Sequence, residues 1–419
     1  MKVLWICNIV IPFFANEFGI KSKPFVGWIS CLFNALINKG NLELGFCFPL
    51  FDPARMKNGC LNNYEYYSFK FVDGDDYDEE TVTRFGEILR SFEPDIVHIW
   101  GTEYPHSKAA MEACERLNLL ARVIVDIQGL VSIYSSHYLN GIPDHYKTLK
   151  SGEFKTIEES RDSFFRRGLL ETSLLKKAQN AFGRSDWDRA CADRINKTIN
   201  YYSCNRILRS SFYESAGKWN IAECERFSLF VGQASYPIKG FHYLLLALPD
   251  ILAKYPHTHV YVAGENPAVN TAWGVPPYGI FINDLINELD LASAITFLGV
   301  LNEEEIVKQF LKAHLFVSSS VIENASNAIS EAAMLGLPIV ASYTGGIGNM
   351  LEDKKSAMFY QSDAPYMLAY YVKMIFSDDD LAMRLSEEAG QKMGIEMNGE
   401  LVADKVINVY EEIVLRQKG

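Results

Sequence analysis

The stretch Val321-Ile-Glu323-Asn-Ala-Ser326-Asn327-Ala-Ile-Ser-Glu331-Ala-Ala-Met-Leu-Gly336-Leu-Pro338-Ile-Val-Ala341 decides the fold class. It sets one carboxylate at the end of an apolar strand, Leu315-Phe316-Val317, and a second inside the helix that follows. Ser326 or Asn324 supplies the helix N-cap, and Gly336 ends the helix where a left-handed residue is wanted. Asn327 and Glu331 share one helical face, while Ile329, Ala332 and Ala333 turn toward a core. A helix N-terminus at the carboxyl end of a strand offers backbone N–H groups and a positive dipole end, which suits a phosphate. Glu331 is placed to accept both hydroxyls of a ribose, and Glu323 to accept hydroxyls of an attached sugar. A nucleotide sugar is the ligand this layout favours.

Outward from this stretch, short β-rich runs alternate with helical ones. In the second half the expected strands are Phe227–Val231, His259–Ala263, Ile295–Leu298, Leu315–Val317 and Pro338–Ala341, with helices at Tyr243–Lys254, Ile280–Leu289 and Glu303–Lys312. In the first half the strands are Lys2–Cys7, Leu44–Phe48, Asp95–Trp100, Arg122–Ile127 and Asn180–Gly183, with helices at Trp28–Asn38, Glu79–Ser91 and Pro105–Leu117. This rhythm predicts an α/β protein with two doubly wound parallel sheets. Open parallel sheets bind ligands at the carboxyl ends of their strands, so two such sheets facing each other predict a cleft. The stretch Tyr201–Glu225 is the candidate hinge.

The 419 residues suit two domains of ordinary size, each with a full core. A formal charge of −12 argues against a nucleic-acid surface. The eight cysteines are scattered, without a C-x-x-C pair or a histidine spacing that suggests zinc. Cys7 and Cys47 read as buried thiols, and a reducing cytoplasm fits them. The chain opens directly on a strand, and no apolar run approaches the ~20 residues of a membrane span. The expectation is a cytoplasmic protein, either free or peripheral at the inner face of the membrane.

Glu323 and Glu331 resemble the E-x7-E motif of the retaining glycosyltransferases of family 4. Phe230-Val-Gly232-Gln233 with Lys239-Gly240 looks like that family's diphosphate segment, with Gln233 where the family carries an arginine. Val262-Ala-Gly264-Glu265, Phe297-Leu-Gly299, Pro338–Ser342 and Gly345-Gly346 follow in the family's order. Lys2–Asn8, Pro24–Trp28, Pro94–Gly101 and Gly183–Asp188 resemble bacterial members that build surface polysaccharide.

The resemblance implies a GT-B architecture. Residues 1–205 would form a Rossmann-like acceptor domain, 206–395 a Rossmann-like nucleotide-sugar domain, and 396–419 a terminal helix crossing back to the first. It also implies a metal-independent, retaining hexosyltransferase without cofactor. Its donor would be a UDP- or GDP-linked sugar, and its acceptor a sugar or lipid-linked saccharide in surface polysaccharide or glycolipid synthesis. Lys239 and Glu323 are the expected catalytic residues. Gly27, Gly232, Gln233, Gly264, Asn324, Ala325, Ser326, Asn327 and Glu331 are expected on the donor. His106, Gln128 and Arg184 are expected on the acceptor or sugar side; Gln128 stands where many relatives carry histidine. Asp186-Trp187-Asp188 matches a metal-binding D-x-D in letters only. His98, inside a strand, reads as a core histidine. A nucleotide-sugar epimerase of related fold and a non-catalytic nucleotide-sugar-binding protein are the alternatives.

Residues 147–177 hold Lys150, Lys155, Arg161, Arg166, Arg167, Lys176 and Lys177 among Phe164, Phe165, Leu169, Leu170, Leu174 and Leu175. Two readings stand: a solvated surface helix, or a basic amphipathic face on anionic lipid.

Overall fold

Val3, Leu4, Trp5 and Ile6 are fully buried in the strand Lys2–Ile6 (β1), as an unbroken apolar run at the centre of a parallel sheet should be. In this computed structural model, which describes residues 1–20, 27–37, 39–40, 42–72, 74 and 76–417, β1 is followed by Glu43–Leu50 (β2), Gly59–Leu61 (β3), Tyr64–Lys70 (β4) and Ile96–Trp100 (β5). Val123–Asp126 (β6), Asn180–Gly183 (β7) and Asn200–Ser203 (β8) complete an eight-stranded sheet in the order β3-β4-β2-β1-β5-β6-β7-β8. Only the β3–β4 hairpin is antiparallel among its described pairs.

The second sheet has six strands: Glu225–Val231 (β9), His259–Ala263 (β10), Ile295–Gly299 (β11), Ala313–Ser318 (β12), Ile339–Ser342 (β13) and Met358–Tyr360 (β14). They are parallel, in the order β11-β10-β9-β12-β13-β14. Every strand expected from the sequence is present, and β3, β4, β8 and β14 add to them. Of the first-half helix expected at Trp28–Asn38, the structure describes Gly27–Ile37; Asn38, like Pro24–Val26 of the quoted motif, lies outside the described residues. The candidate hinge is not a plain linker: Tyr201–Ser203 lies in β8 and Ser210–Glu214 is helical.

The chain divides into two compact units that differ from two continuous halves. The first comprises 1–133, 163–207 and 397–419; the second comprises 134–162 and 208–396. The terminal helix Gly399–Arg416 therefore belongs with the first unit. Its Tyr410 hydroxyl lies 2.6 Å from Nδ1 of the fully buried His98 and accepts from Trp5 Nε1 at 3.2 Å. Burial lowers the His98 pKa to about 3, so the imidazole is neutral and structural.

The segment 134–162 packs with the second unit through specific bonds. Nε2 of His242 lies 3.1 Å from Asn140 O, Tyr146 Oη donates to Asp284 Oδ2 at 2.8 Å, and Ser151 Oγ donates to Val275 O at 2.6 Å. Gly152, at φ 51°, approaches so closely that a Cβ there would lie 1.8 Å from Trp273 O. Nothing in the strand–helix rhythm marks this segment as foreign to its own half.

Candidate functional site

Three loops at the carboxyl edge of the second sheet are stitched together by backbone. After β9, the chain turns through Pro237–Lys239 to Gly240, at φ 63°. A Cβ at Gly240 would lie 1.9 Å from Ser319 O, so the approach of this loop to the end of β12 requires glycine. Val321 N–H donates to Ile238 O at 2.8 Å, and Ser319 Oγ to Lys239 O at 3.1 Å. From the loop after β13, Gly346 N–H donates to Glu323 O at 3.0 Å. Gly345, at φ 52°, sits where a Cβ would come within 2.0 Å of the same oxygen.

Within this frame Lys239 Nζ meets Glu323 Oε2 at 2.7 Å, both side chains largely buried. Burial opposes the lysine's charge, but Glu323, followed by Tyr236, outweighs it and holds the ammonium above the ordinary lysine range. The two expected catalytic residues are thus joined.

Ser326 is the N-cap of the helix Asn327–Leu335, its Oγ accepting from Ile329 N–H at 3.4 Å, and Gly336 closes the helix at φ 83°. Ser326 N–H points at Met350 Sδ, 3.3 Å away. Asn324 is fully buried, Ala325 is buried and Asn327 is exposed. Gly232 lies against the first turn of this helix, a Cβ there falling 3.3 Å from Ala328 Cβ. Gly264, at φ 86°, bonds through its N–H to Gly299 O at 2.9 Å and passes beside the Gln233 side chain. Gln233 is exposed, its Nε2 donating to Ser235 Oγ at 3.1 Å.

Glu331 has a partner that spacing did not disclose: Arg209 Nη2 donates to its Oε1 at 2.8 Å. Burial raises the Glu331 carboxyl above its usual range, while Arg209 pulls the other way. A second unforeseen neighbour is Tyr134, whose hydroxyl accepts the Asn324 N–H at 2.9 Å. Both come from outside the motif-bearing loops, and no local pattern points to either.

In the first unit, Arg184 Nη2 donates to Gln128 O at 3.1 Å, beyond the ends of β7 and β6. Asn8 Nδ2 donates to Gln128 Oε1 and to Tyr104 Oη, each at 3.3 Å. His106 stands differently from the expectation. It is 2% exposed, stacked on Tyr104 and packed against Phe69, and burial lowers its pKa to about 3. The aromatic layer hides the imidazole, so the half-buried Tyr104 is the group offered to solvent there. Gly27 begins a helix of the same unit. Asp188 of the D-x-D triplet caps its own helix, accepting from Arg184 N–H at 2.9 Å and Ser185 N–H at 3.3 Å.

The two sheets match solved glycosyltransferase structures across nearly the whole chain. Sucrose-phosphate synthase from Thermosynechococcus elongatus aligns with a TM-score of 0.70 at 14% identity, covering 99% of this chain and 100% of that one. Anabaena HepE in complex with UDP-glucose aligns at 0.66 and 13% identity, covering 98% and 100%. The fold is GT-B. In sequence, residues 211–392 match the family described as Glycosyl transferases group 1. An uncharacterised glycosyltransferase of Methanocaldococcus jannaschii is 25% identical over 191 residues, 46% of each chain. The alpha-monoglucosyldiacylglycerol synthase of Streptococcus pneumoniae is 22% identical over 182 residues, 43% of this chain and 39% of that one. The chain thus spans about half the length, or less, of the curated relatives it matches. Among the described residues, no helix is long and apolar enough to cross a membrane.

Proposed function

We propose that this protein is a retaining glycosyltransferase that moves a hexose-type sugar from a UDP- or GDP-linked donor to an acceptor hydroxyl. The observation that carries the reading is the Lys239–Glu323 pair at 2.7 Å beside the capped helix that bears Glu331. One cation from the loop after β9 and two carboxylates on the strand–turn–helix that follows β12 supply what a nucleotide sugar needs. Lys239 meets the diphosphate, Glu323 the sugar hydroxyls and Glu331 the ribose. Before the donor enters, Lys239 and Glu323 neutralise each other. An entering diphosphate draws the ammonium toward itself and leaves the carboxylate to accept sugar hydroxyls.

Charge grows on the diphosphate as it departs, so Lys239 does most where the transition state forms. In the proposed mechanism the reaction runs on the front face, with the leaving phosphate taking the acceptor's proton as the new glycosidic bond forms. Gln128, Arg184, Asn8 and Tyr104, grouped at one strand edge of the first unit, are the proposed acceptor side. The acceptor is a saccharide or lipid-linked saccharide, in surface polysaccharide or glycolipid synthesis; the S. pneumoniae relative is, by its name, a glycolipid synthase.

A thermal-shift screen of UDP, GDP and their common sugar conjugates tests the reading. A ligand at 100 Kd stabilises by ~2.7 kcal/mol, so a true donor raises the unfolding temperature visibly. No shift with any of them overturns the proposal.

A further inference from the structure

We propose that the Tyr134 hydroxyl is a placeholder for a hydroxyl of the donor sugar, and that a sugar-bearing nucleotide must displace it while a free nucleotide need not. The inference rests on the donor site proposed above and extends it to a residue outside every motif.

Asn324 N–H and the Glu323 carboxylate are adjacent in sequence, one a donor and the other an acceptor. Together they suit a hydroxyl, which gives one hydrogen bond and takes another. The Glu323 backbone cannot drift, because Gly346 N–H holds its carbonyl at 3.0 Å and Gly345 closes over it. The carboxylate is held by Lys239 at 2.7 Å. The Asn324 amide, in a fully buried residue, is capped by a phenol at 2.9 Å. A buried N–H left without an acceptor is costly, so before a sugar hydroxyl arrives this N–H needs such a stand-in.

Tyr134 is well suited to arrive and withdraw. Its segment is fixed further along, where Asn140 O meets His242 at 3.1 Å, Tyr146 meets Asp284 at 2.8 Å and Ser151 meets Val275 O at 2.6 Å. Gly141, at φ 74°, is wedged where a Cβ would come within 2.7 Å of the His242 and Tyr243 rings. With those anchors holding the chain that follows, the hydroxyl can leave Asn324 by rotation of the Tyr134 side chain. The ring is partly accessible, which leaves it room to turn.

Tyr134→Phe keeps the ring and deletes the placeholder. Calorimetry would compare UDP and GDP with UDP-glucose, UDP-N-acetylglucosamine and GDP-mannose, using whichever conjugate binds the wild type most tightly. The expected result is tighter binding of the conjugate by about three- to tenfold, the equivalent of one neutral hydrogen bond that no longer has to be broken. Its parent nucleoside diphosphate should change less than about twofold. Tyr134→Leu, which also lacks the hydroxyl, should move the conjugate in the same direction. An unchanged or weakened conjugate, or an equal gain for conjugate and free nucleotide, overturns the inference while leaving the donor site standing. If wild type and variants bind no nucleotide at all, the donor site falls and the inference with it.

Discussion

Arg209 donates to Glu331 at 2.8 Å, an ion pair in which both side chains are less than one-fifth exposed. The pair explains how a carboxylate can remain ionised where burial alone drives it toward the neutral acid. A ribose donates its hydroxyls, so only the ionised carboxylate accepts both. Removing Arg209 leaves burial unopposed and raises the carboxyl further. In Arg209→Ala, affinity for the nucleoside diphosphate should therefore be lost at a higher pH than in the wild type as pH falls from 8 toward 5. Titration calorimetry across that range checks it, and parallel profiles for the two proteins would refute the assigned role.

Glu323 and Glu331 should separate in their effects. Glu331→Ala should weaken free nucleotide and nucleotide sugar alike, by ~1–3 kcal/mol for a lost charged acceptor. Glu323→Ala should spare free nucleotide and impair only the nucleotide sugar. Equal losses of both ligands in both variants would contradict the division.

Lys239 has no second cation from its own segment, since Gln233 is exposed and bonded to Ser235. Lys239→Ala should lower kcat by ~100-fold or more and raise KM less, as expected for a group that acts on transition-state charge. Gln233→Arg should restore part of that loss. A Lys239→Ala enzyme with near-wild-type kcat would move the diphosphate site elsewhere.

The helix Ile157–Lys177 is less basic in effect than its composition suggests. Lys150 pairs with Glu159, Arg161 with Glu158 and Asp162, and Lys177 with Glu112 and Glu115. What stands out is Phe165 and Leu169, 53% and 58% exposed and one helical turn apart. If this face meets lipid, those two side chains enter it and Lys176 adds attraction. Phe165→Asp with Leu169→Asp should abolish sedimentation with anionic liposomes at low salt and leave nucleotide binding intact. A wild-type protein that ignores such liposomes makes the segment an ordinary solvated helix.

Glu171 accepts the Val131 N–H at 2.9 Å and the Ser132 N–H at 3.2 Å, and is fully buried. Burial raises its pKa to about 8, the Ser132 bonds opposing and Glu103 adding to the rise. An unfolded glutamate titrates near ~4.3, so the stabilising effect of this group is complete below that value. It is lost as pH rises toward 8, at up to ~1.4 kcal/mol per unit. Glu171→Gln should flatten the pH dependence of unfolding free energy between about 5 and 8. Identical slopes by chemical denaturation would show that the carboxyl ionises freely in the folded state.

The sequence by itself determined the two parallel sheets, because central strands are buried on both faces and read as apolar runs, as at residues 3–6 and 315–317. It also determined the Gly336 stop and narrowed the N-cap to Ser326 or Asn324, because each depends on a residue type acting on its own backbone; the structure chose Ser326. The short edge strands β3, β8 and β14 escaped it, since edge strands carry little apolar periodicity. Only the tertiary structure decided who stands beside the motif. Arg209 reaches Glu331 across 122 positions and Tyr134 reaches Asn324 across 190. It also decided that His106 lies beneath Tyr104. Such pairings follow from how strands and helices stack, and a side chain's spacing along the chain carries no record of a neighbour brought to it by packing.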